Sequence, residues 1–482
     1  MIFLADSCTN KGGIQDRQPN VLLVLVDDLK PALGCYGDEH ALTPNIDRLA
    51  ACGMRFETAY CNQAVCAPSR NNLMLGSLST SIGIYSLGKN FRRAVPDAVT
   101  LTQYFMHHGY RVEGIGKVFH IGHGNHDDTA SWSVPFQKDL VVEYLKEESR
   151  NGGTVTKEEA YFGNMGREVL QSAPRGAAWE WADVPDNAYA DGRIADEGIR
   201  RLRAARDRDQ PFFLALGFVK PHLPFTAPKK YWDMHDPETL PMPEILTDPA
   251  GAPGYARKGW MEIAAYTPIE RGPEPIGPEL TRQLIHGYYA AASYADAQIG
   301  RVLDELDRLG LAENTLIVLW GDHGWHLGDH SYWTKHTNYE QANRIPIIIV
   351  APGVAKPGSF TGQPAQTVDI YPTLVELAGL PEPEVPQPID GLSLVPVLKD
   401  PSKRIRDHVV HAYPRKGRMG RAIRTERYRL VEWNVPGNPA DSADIELYDY
   451  HEDPLESKNL ATARPDIVKE LLITLNQYPL KE

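Results

Sequence analysis

Residues Asn20–Val26 read Asn-Val-Leu-Leu-Val-Leu-Val and stop at two aspartates, Asp27 and Asp28. An apolar run without polar alternation suits a strand buried on both faces, which is the environment of a mainly parallel sheet. Similar runs recur near 111–115, 212–216, 315–320 and 345–350, and between them lie helix-like segments at 101–108, 190–205, 280–309 and 369–378. Thr43-Pro44-Asn45 opens a further helix, with proline in its first turn. Strands alternating with helices predict an α/β fold built on a large, mostly parallel, doubly wound sheet flanked by helices.

In such sheets ligands bind beyond the carboxyl ends of the strands. Asp27-Asp28 follows one predicted strand and Asp322-His323 follows another, so both pairs are expected on that edge. Alone, either pair reads equally well as a turn or a helix cap. Together, this many carboxylate oxygens favour a hard divalent cation, Ca²⁺ or Mg²⁺.

With 482 residues the chain can bury a sizeable core and carry a second, smaller unit. After about Pro396 the texture changes to short segments, at 408–413, 421–424, 428–433 and 446–450, closed by a helix at 466–475. The expected division is a catalytic α/β domain over 1–395 and a small C-terminal subdomain with an antiparallel sheet over 396–482. The segments 140–187 and 236–276, rich in proline, glycine and charge, read as long insertions walling a pocket.

The formal net charge is −13, which argues against nucleic acid as a partner. An acidic chain that handles an anion must gather its cations locally. Five cysteines, Cys8, Cys35, Cys52, Cys61 and Cys66, show no paired spacing, which argues against a disulfide framework and leaves individual pairings open. No apolar run reaches the roughly 20 residues of a membrane span. Met1-Ile2-Phe3-Leu4-Ala5 is too short for a signal h-region and lacks a basic start, so no intact signal peptide is visible.

Cys66-Ala67-Pro68-Ser69-Arg70, continued to Leu73 and Gly76, resembles the signature of the formylglycine-dependent (type I) sulfatase family. Leu75 departs from it, since that family usually has threonine before the glycine. Gly116-Lys117-Val118-Phe119-His120, Lys220-Pro221-His222-Leu223-Pro224-Phe225, Asp322-His323-Gly324-Trp325 and Ile423-Arg424-Thr425-Glu426-Arg427-Tyr428 resemble the iduronate-2-sulfatase branch, over nearly the whole chain. Taken singly, a lysine or histidine in such places is more often structural.

The resemblance implies an alkaline-phosphatase-like sulfatase fold and a sulfuric ester hydrolase. It implies conversion of Cys66 to Cα-formylglycine by a formylglycine-generating or anaerobic sulfatase-maturating enzyme, and a metal sphere of Asp27, Asp28, Cys66, Asp322 and His323. It implies Arg70, Lys117, His120, His222 and Lys335 as catalytic or sulfate-binding residues. One hydroxyl of the hydrated aldehyde would attack sulfur, His222 or Lys335 would protonate the leaving oxygen, and His120 would deprotonate the second hydroxyl to release sulfate. Lys117, His222 and Lys335 would also bind substrate, with Trp325 lining a sugar subsite and Arg415 meeting a uronate carboxylate. Trp325, His326 and Tyr332 read equally well as lining the sugar subsite or as packing residues. His123, His126, Asp127 and Asp128 read as a second metal site or as a solvated pocket wall.

The substrate expected from the resemblance is a sulfated oligosaccharide carrying a 2-O-sulfated uronic acid, met in a periplasmic, secreted or lysosome-like compartment. The alternatives are a sulfatase for another polysaccharide such as a marine galactan of the carrageenan type, a phosphodiesterase or phosphonate hydrolase of the same superfamily, and a non-catalytic sulfoglycan-binding protein.

Overall fold

The computed structural model describes residues 18–257, 261–270, 272, 275–439, 442–478 and 480–481. The N-terminal Met1–Ala5 segment and Cys8 lie outside the described residues. Seven strands form the main sheet: β1 (Asn20–Val26), β2 (Met54–Phe56), β3 (Arg111–Gly116), β4 (Phe212–Phe218), β5 (Thr315–Gly321), β6 (Ile347–Val350) and β7 (Ser359–Thr361), in the order β7-β2-β6-β5-β1-β4-β3. β1 is central, which explains its unbroken apolar sequence. Val21, Leu23 and Leu25 enter one core layer, and Leu22, Val24 and Val26 the other.

β3, β4, β1 and β5 run parallel. β6 is antiparallel to both β5 and β2, so the sheet is mixed rather than wholly parallel. An apolar run buried on both faces carries no information about strand direction, and the sequence pattern could not distinguish the two cases.

Helices cover the sheet: α1 (Pro44–Cys52), α2 (Cys66–Leu75), α3 (Leu101–His107), α4 (Ala190–Arg206), α5 (Pro278–Arg308) and α6 (Ile370–Leu377). All ten residues of α2 are buried. It is therefore a core element, consistent with its lack of a polar face. The C-terminal sheet is a four-stranded antiparallel meander, β8 (His408–Arg415), β9 (Arg418–Thr425), β10 (Tyr428–Asn434) and β11 (Asp444–Asp449), followed by α7 (Pro465–Leu475).

The two insertions are more ordered than their composition implied. The first carries short helices at Lys157–Phe162 and Arg167–Ser172 and a strand at Trp179–Ala182 that pairs with Phe225–Pro228. Cys35, Cys61 and Cys66 are free thiols, and Cys52 is disulfide-bonded. No helix among the described residues is long and apolar enough to cross a membrane.

Candidate active site

The parallel strands end in register, and this alignment gathers the site. Val26 of β1 pairs with Gly321 of β5 and Phe218 of β4, and Gly116 of β3 with Gly217 of β4. The residues just beyond are bound to the neighbouring strand: Asp27 N–H donates to Phe218 O, Asp322 N–H to Val26 O, and Lys117 N–H to Gly217 O. Gly217 is required for this approach, because a Cβ there would lie 2.2 Å from the Lys117 carbonyl. Asp27, Lys117 and Asp322 therefore meet at one edge, although 295 positions separate the first and last in sequence (322 − 27).

Cys66 enters from the side as the first residue of α2, where helix amides favour negative charge. Its Sγ lies 3.2 Å from His323 Nε2. One turn on, Arg70 is fully buried and ties the edge together. Its Nε donates to Asp322 Oδ2 at 3.0 Å, Nη2 to Asp27 Oδ1 at 2.9 Å, and Nη1 to the carbonyls of Lys117 and Val118. Ser69 Oγ donates to the Asp322 carbonyl. The spacing Cys-x-x-Ser-Arg thus places a thiol and two anchors on adjacent turns of one buried helix.

Asp28 adopts a left-handed backbone, φ 59°, and its N–H donates to Asp322 Oδ1 at 3.0 Å. Its own carbonyl accepts from Tyr288 OH at 2.8 Å. A positive φ at a non-glycine residue is strained, and here both hydrogen bonds hold it. Lys117 Nζ is paired with Asp27 Oδ2, and Lys335 Nζ with Asp28 at 3.0 and 3.1 Å. Lys335 also reaches Glu262 Oε1 at 2.9 Å.

His222 lies 3.9 Å from the same Glu262 oxygen. Asp191 steadies the segment leading to it, accepting from Val219 N and Lys220 N at 2.7 and 3.0 Å. His120 Nε2 lies 3.3 Å from His123 Nδ1, and His120 Nδ1 is buried without a partner among the described residues. Phe162, from the first insertion, sets its ring against His120 and His222 and lies 5.2 Å from Lys117 Nζ. The elements expected to wall the pocket do reach it.

Protonation follows from this crowding. Burial would raise the Asp27 carboxyl, but Lys117 and Arg70 overcome it and hold the group well below the usual range. Burial pushes Asp322 up to about 7, with Asp27 adding to the shift. Asp28 is raised by burial despite Lys335, with Asp27, Glu262 and Asp322 adding to the rise. Burial also holds His120, His222 and His323 well below the ordinary imidazole value. The Cys66 thiol is pushed well above its usual value by burial, which Lys117 and Lys335 oppose without reversing.

The donor set fits a hard cation. Ligand atoms of Asp27, Asp28, Cys66 and His323 all lie within 4.8 Å of one another. His323 Nδ1 faces the Gly324 carbonyl at 3.0 Å, which assigns the ring proton to Nδ1 and leaves a lone pair on Nε2. That lone pair points at Asp28 Oδ1, 3.4 Å away, and Asp322 Oδ1, 3.6 Å away. With both carboxyls ionised, three electron-rich atoms facing one another repel unless positive charge lies among them. The Asp322 carboxylate is also committed to Arg70 and to the amides of Asp28 and His323, so it frames the other ligands as well as facing them.

The remaining sequence expectations divide. Trp325 is wholly buried in the core around Leu223, Phe225 and Tyr288, and its ring lies under Lys335 Nζ at 5.3 Å. His326 and Tyr332 are likewise buried, bonded to Thr337 and Asp248. Asp127 turns to Trp132 Nε1 and Asp128 to Arg92, so neither joins His123 and His126 in a metal cluster. Arg415, at the end of β8, lies over the Tyr413 ring at 4.8 Å and donates to the His336 carbonyl, next in sequence to Lys335.

Glu262 is the site residue that sequence reasoning missed. It stands in a short 3₁₀ turn inside the second insertion, with no motif around it. The one available signal was a lone carboxylate in a segment already read as pocket wall.

Known proteins resemble the chain over nearly its whole length. Residues 19–380 match the model of the family described as Sulfatase, and residues 328–479 match that described as N-sulphoglucosamine sulphohydrolase, C-terminal. Iduronate 2-sulfatase of Homo sapiens is 32% identical over 92% of this chain and 90% of its own length, and that of Mus musculus is equally similar. Among solved structures, a phosphonate monoester hydrolase from Silicibacter pomeroyi superposes with a TM-score of 0.73 at 24% identity, covering 96% of this chain and 95% of that one. A 2-O GAG sulfatase gives 0.70 at 21%, covering 96% and 92%. At such identities the structural matches establish the fold, which is the α/β architecture expected.

Proposed function

The chain belongs to the sulfatase family and is a sulfuric ester hydrolase, and from that premise we propose that it removes sulfate from a sulfated glycan, with a 2-O-sulfated uronic acid as the sugar. The observation that carries the proposal is the cluster of Arg70, Lys117 and Lys335 around Cys66, fully buried in a chain of net charge −13. Their Asp27, Asp28, Asp322 and Glu262 partners give four carboxylates against three cations. With all four ionised, a divalent cation changes that balance from −1 to +1, which suits a monoanionic sulfate ester. The uronate is supported by the iduronate 2-sulfatase relatives.

Asp27, Asp28, Asp322 and His323, with position 66, would hold Ca²⁺ or Mg²⁺, which supplies Lewis-acid polarisation of a sulfate oxygen. Cys66, converted to Cα-formylglycine by a maturating enzyme, supplies a hydrated aldehyde with one hydroxyl to attack sulfur and a second to expel sulfate. An unconverted Cys66 suits the reaction poorly, since its buried thiol resists ionisation and its sulfur has no second hydroxyl.

The chain's own groups do the rest. Arg70 keeps Asp27 and Asp322 turned toward the start of α2. Lys117 and Lys335 present ammonium groups to the ester's negative oxygens without leaving Asp27 and Asp28. Lys335, kept charged by Asp28 and Glu262, or His222 in its protonated form gives the leaving oxygen its proton. His120, kept neutral by burial and with Nδ1 unpaired, is suited to accept one. We assign catalysis to residues 1–395, read 396–482 as a subdomain contributing Arg415, and place the enzyme in a periplasmic, secreted or lysosome-like compartment.

The test is sulfate release from a panel of defined sulfated disaccharides. Cleavage of a 2-O-sulfated uronate in preference to sulfated galactose or glucosamine supports the proposal, and the reverse order overturns the choice of sugar.

A further inference from the structure

Glu262 connects two groups that the proposed reaction places on the leaving side. Its Oε1 lies 2.9 Å from Lys335 Nζ and 3.9 Å from His222 Nε2, and ligand atoms of Asp28, His222 and Glu262 lie within 4.8 Å of one another. Lys335 is thereby held from opposite partners: Asp28 accepts at 3.0 and 3.1 Å, and Glu262 accepts at 2.9 Å. With the Trp325 ring 5.3 Å beneath the ammonium, the lysine has little freedom left. Among the described residues Glu262 Oε2 is buried without a partner, so the carboxylate is more than half of an ion pair closing a surface gap.

We propose that Glu262 is a positioning residue for departure of the leaving group, holding Lys335 beside His222 so that a proton donor stands at the ester bridging oxygen. This rests on the sulfatase reading above. In the step concerned the bond between sulfur and the bridging oxygen breaks. Its electron pair stays on that oxygen, which takes a proton from Lys335 or His222 as the free alcohol departs. Without Glu262, Asp28 is the one remaining carboxylate paired with Lys335, and the ammonium is drawn toward the metal-side carboxylates and away from the bridging oxygen.

The consequence depends on how much the leaving group needs a proton. A sugar alkoxide is a poor leaving group and requires the donor, whereas 4-nitrophenolate leaves almost unaided. Glu262→Gln and Glu262→Ala should therefore lower kcat on a sugar sulfate by roughly 10²-fold, within the range for one proton-transfer group. The same variants should lose roughly tenfold less on 4-nitrophenyl sulfate, where the Lys335 contact to the sulfate oxygens is disturbed but no proton donor is needed. Glu262→Asp, which keeps the charge on a shorter arm, should recover part of the loss.

A series of aryl sulfates of rising leaving-group pKa makes the reading continuous: the variants should show a steeper fall than the parent enzyme. Equal losses on all substrates, or none, overturn the inference while leaving the sulfatase reading intact. A parent enzyme that hydrolyses neither class of ester, once Cys66 conversion is verified by mass, overturns that reading and this inference together.

Discussion

His323 Nε2 lies 3.2 Å from Cys66 Sγ, joining the loop after a central strand to the first residue of a buried helix 257 positions earlier. The ring is held by Nδ1 on the Gly324 carbonyl and the thiol by the start of α2, so neither can adjust independently. Everything proposed for the site depends on this junction between the sheet edge and the helix.

Cys66→Ala should abolish sulfate release while preserving the fold, because among the described residues the Cys66 side chain makes no hydrogen bond besides its approach to His323. Removing the nucleophile of a covalent pathway costs several orders of magnitude in rate. Initial rates on an aryl sulfate, with circular dichroism as the control for folding, check this. Near-parental turnover would rule out position 66 as the nucleophile.

Arg70→Ala is expected to damage stability as well as activity. The guanidinium is fully buried and satisfies Asp27, Asp322 and two backbone carbonyls at once. Its removal takes the guanidinium from Asp322 and leaves Asp27 to Lys117, at a cost of about 3–5 kcal/mol. Arg70→Lys should recover little, since a point charge cannot span four acceptors arranged around a planar fork. Denaturant midpoints of the three proteins decide it.

Much of this was legible in the sequence, for reasons specific to each residue. β1 was readable because it is central and apolar on both faces, and Asp27-Asp28 because the strand ends abruptly there. Lys117 and His222 carried local motifs. Glu262 had none, since its role comes from a 3₁₀ turn folding back onto Lys335 across 73 positions (335 − 262). The direction of β6 was hidden because an apolar run reads alike in both directions. Trp325 read equally well as sugar-facing or packed, because an aromatic near a sugar site and an aromatic under a lysine have the same local sequence.

Chelation should lower activity and thermal stability together. Asp27, Asp28 and His323 face one another with their electron-rich atoms, so a bound cation relieves repulsion that the metal-free fold must bear. At a hundred times its dissociation constant a ligand adds about 2.7 kcal/mol. Calcium or magnesium should restore both properties in the parent protein. Asp28→Ala should respond to neither, and elemental analysis should find its metal content reduced.

Acid should destabilise the fold through a residue remote from the site. His411 is buried in β8 with Nε2 3.3 Å from the Asn338 carbonyl, and burial lowers its pKa from 6.5 to about 3, with Arg429 adding to the shift. The folded-state value lies below the unfolded one, so the unfolded chain binds the proton first. This contribution to stability is complete above pH 6.5 and is lost progressively as pH falls toward about 3. Each unit in that window costs up to about 1.4 kcal/mol for this group. His411→Gln, which cannot titrate, should flatten the dependence of the denaturation midpoint on pH between 6.5 and 5 by up to that amount. An unchanged slope would show that His411 accepts a proton in the folded state.

Arg415 offers the clearest test of sugar choice. Its guanidinium lies on Tyr413 and donates to the carbonyl of His336, beside Lys335, which fixes the side chain near the cations proposed to hold the sulfate. A uronate carries a carboxylate that needs a second basic contact outside the sulfate pocket, and the planar fork of arginine can meet it with two parallel bonds. A hydrogen bond to a charged group is worth about 1.5–3 kcal/mol, a roughly ten- to hundredfold effect. Arg415→Ala should therefore lose that much kcat/KM on a 2-O-sulfated uronate and little on a small aryl sulfate, which has no carboxylate to lose. Amidation of the uronate should cost the parent enzyme a similar factor and Arg415→Ala almost nothing, since the partner is already gone. If the variant loses both substrates equally, Arg415 supports the pocket wall instead of reading the sugar, and the carboxylate contact must be sought elsewhere.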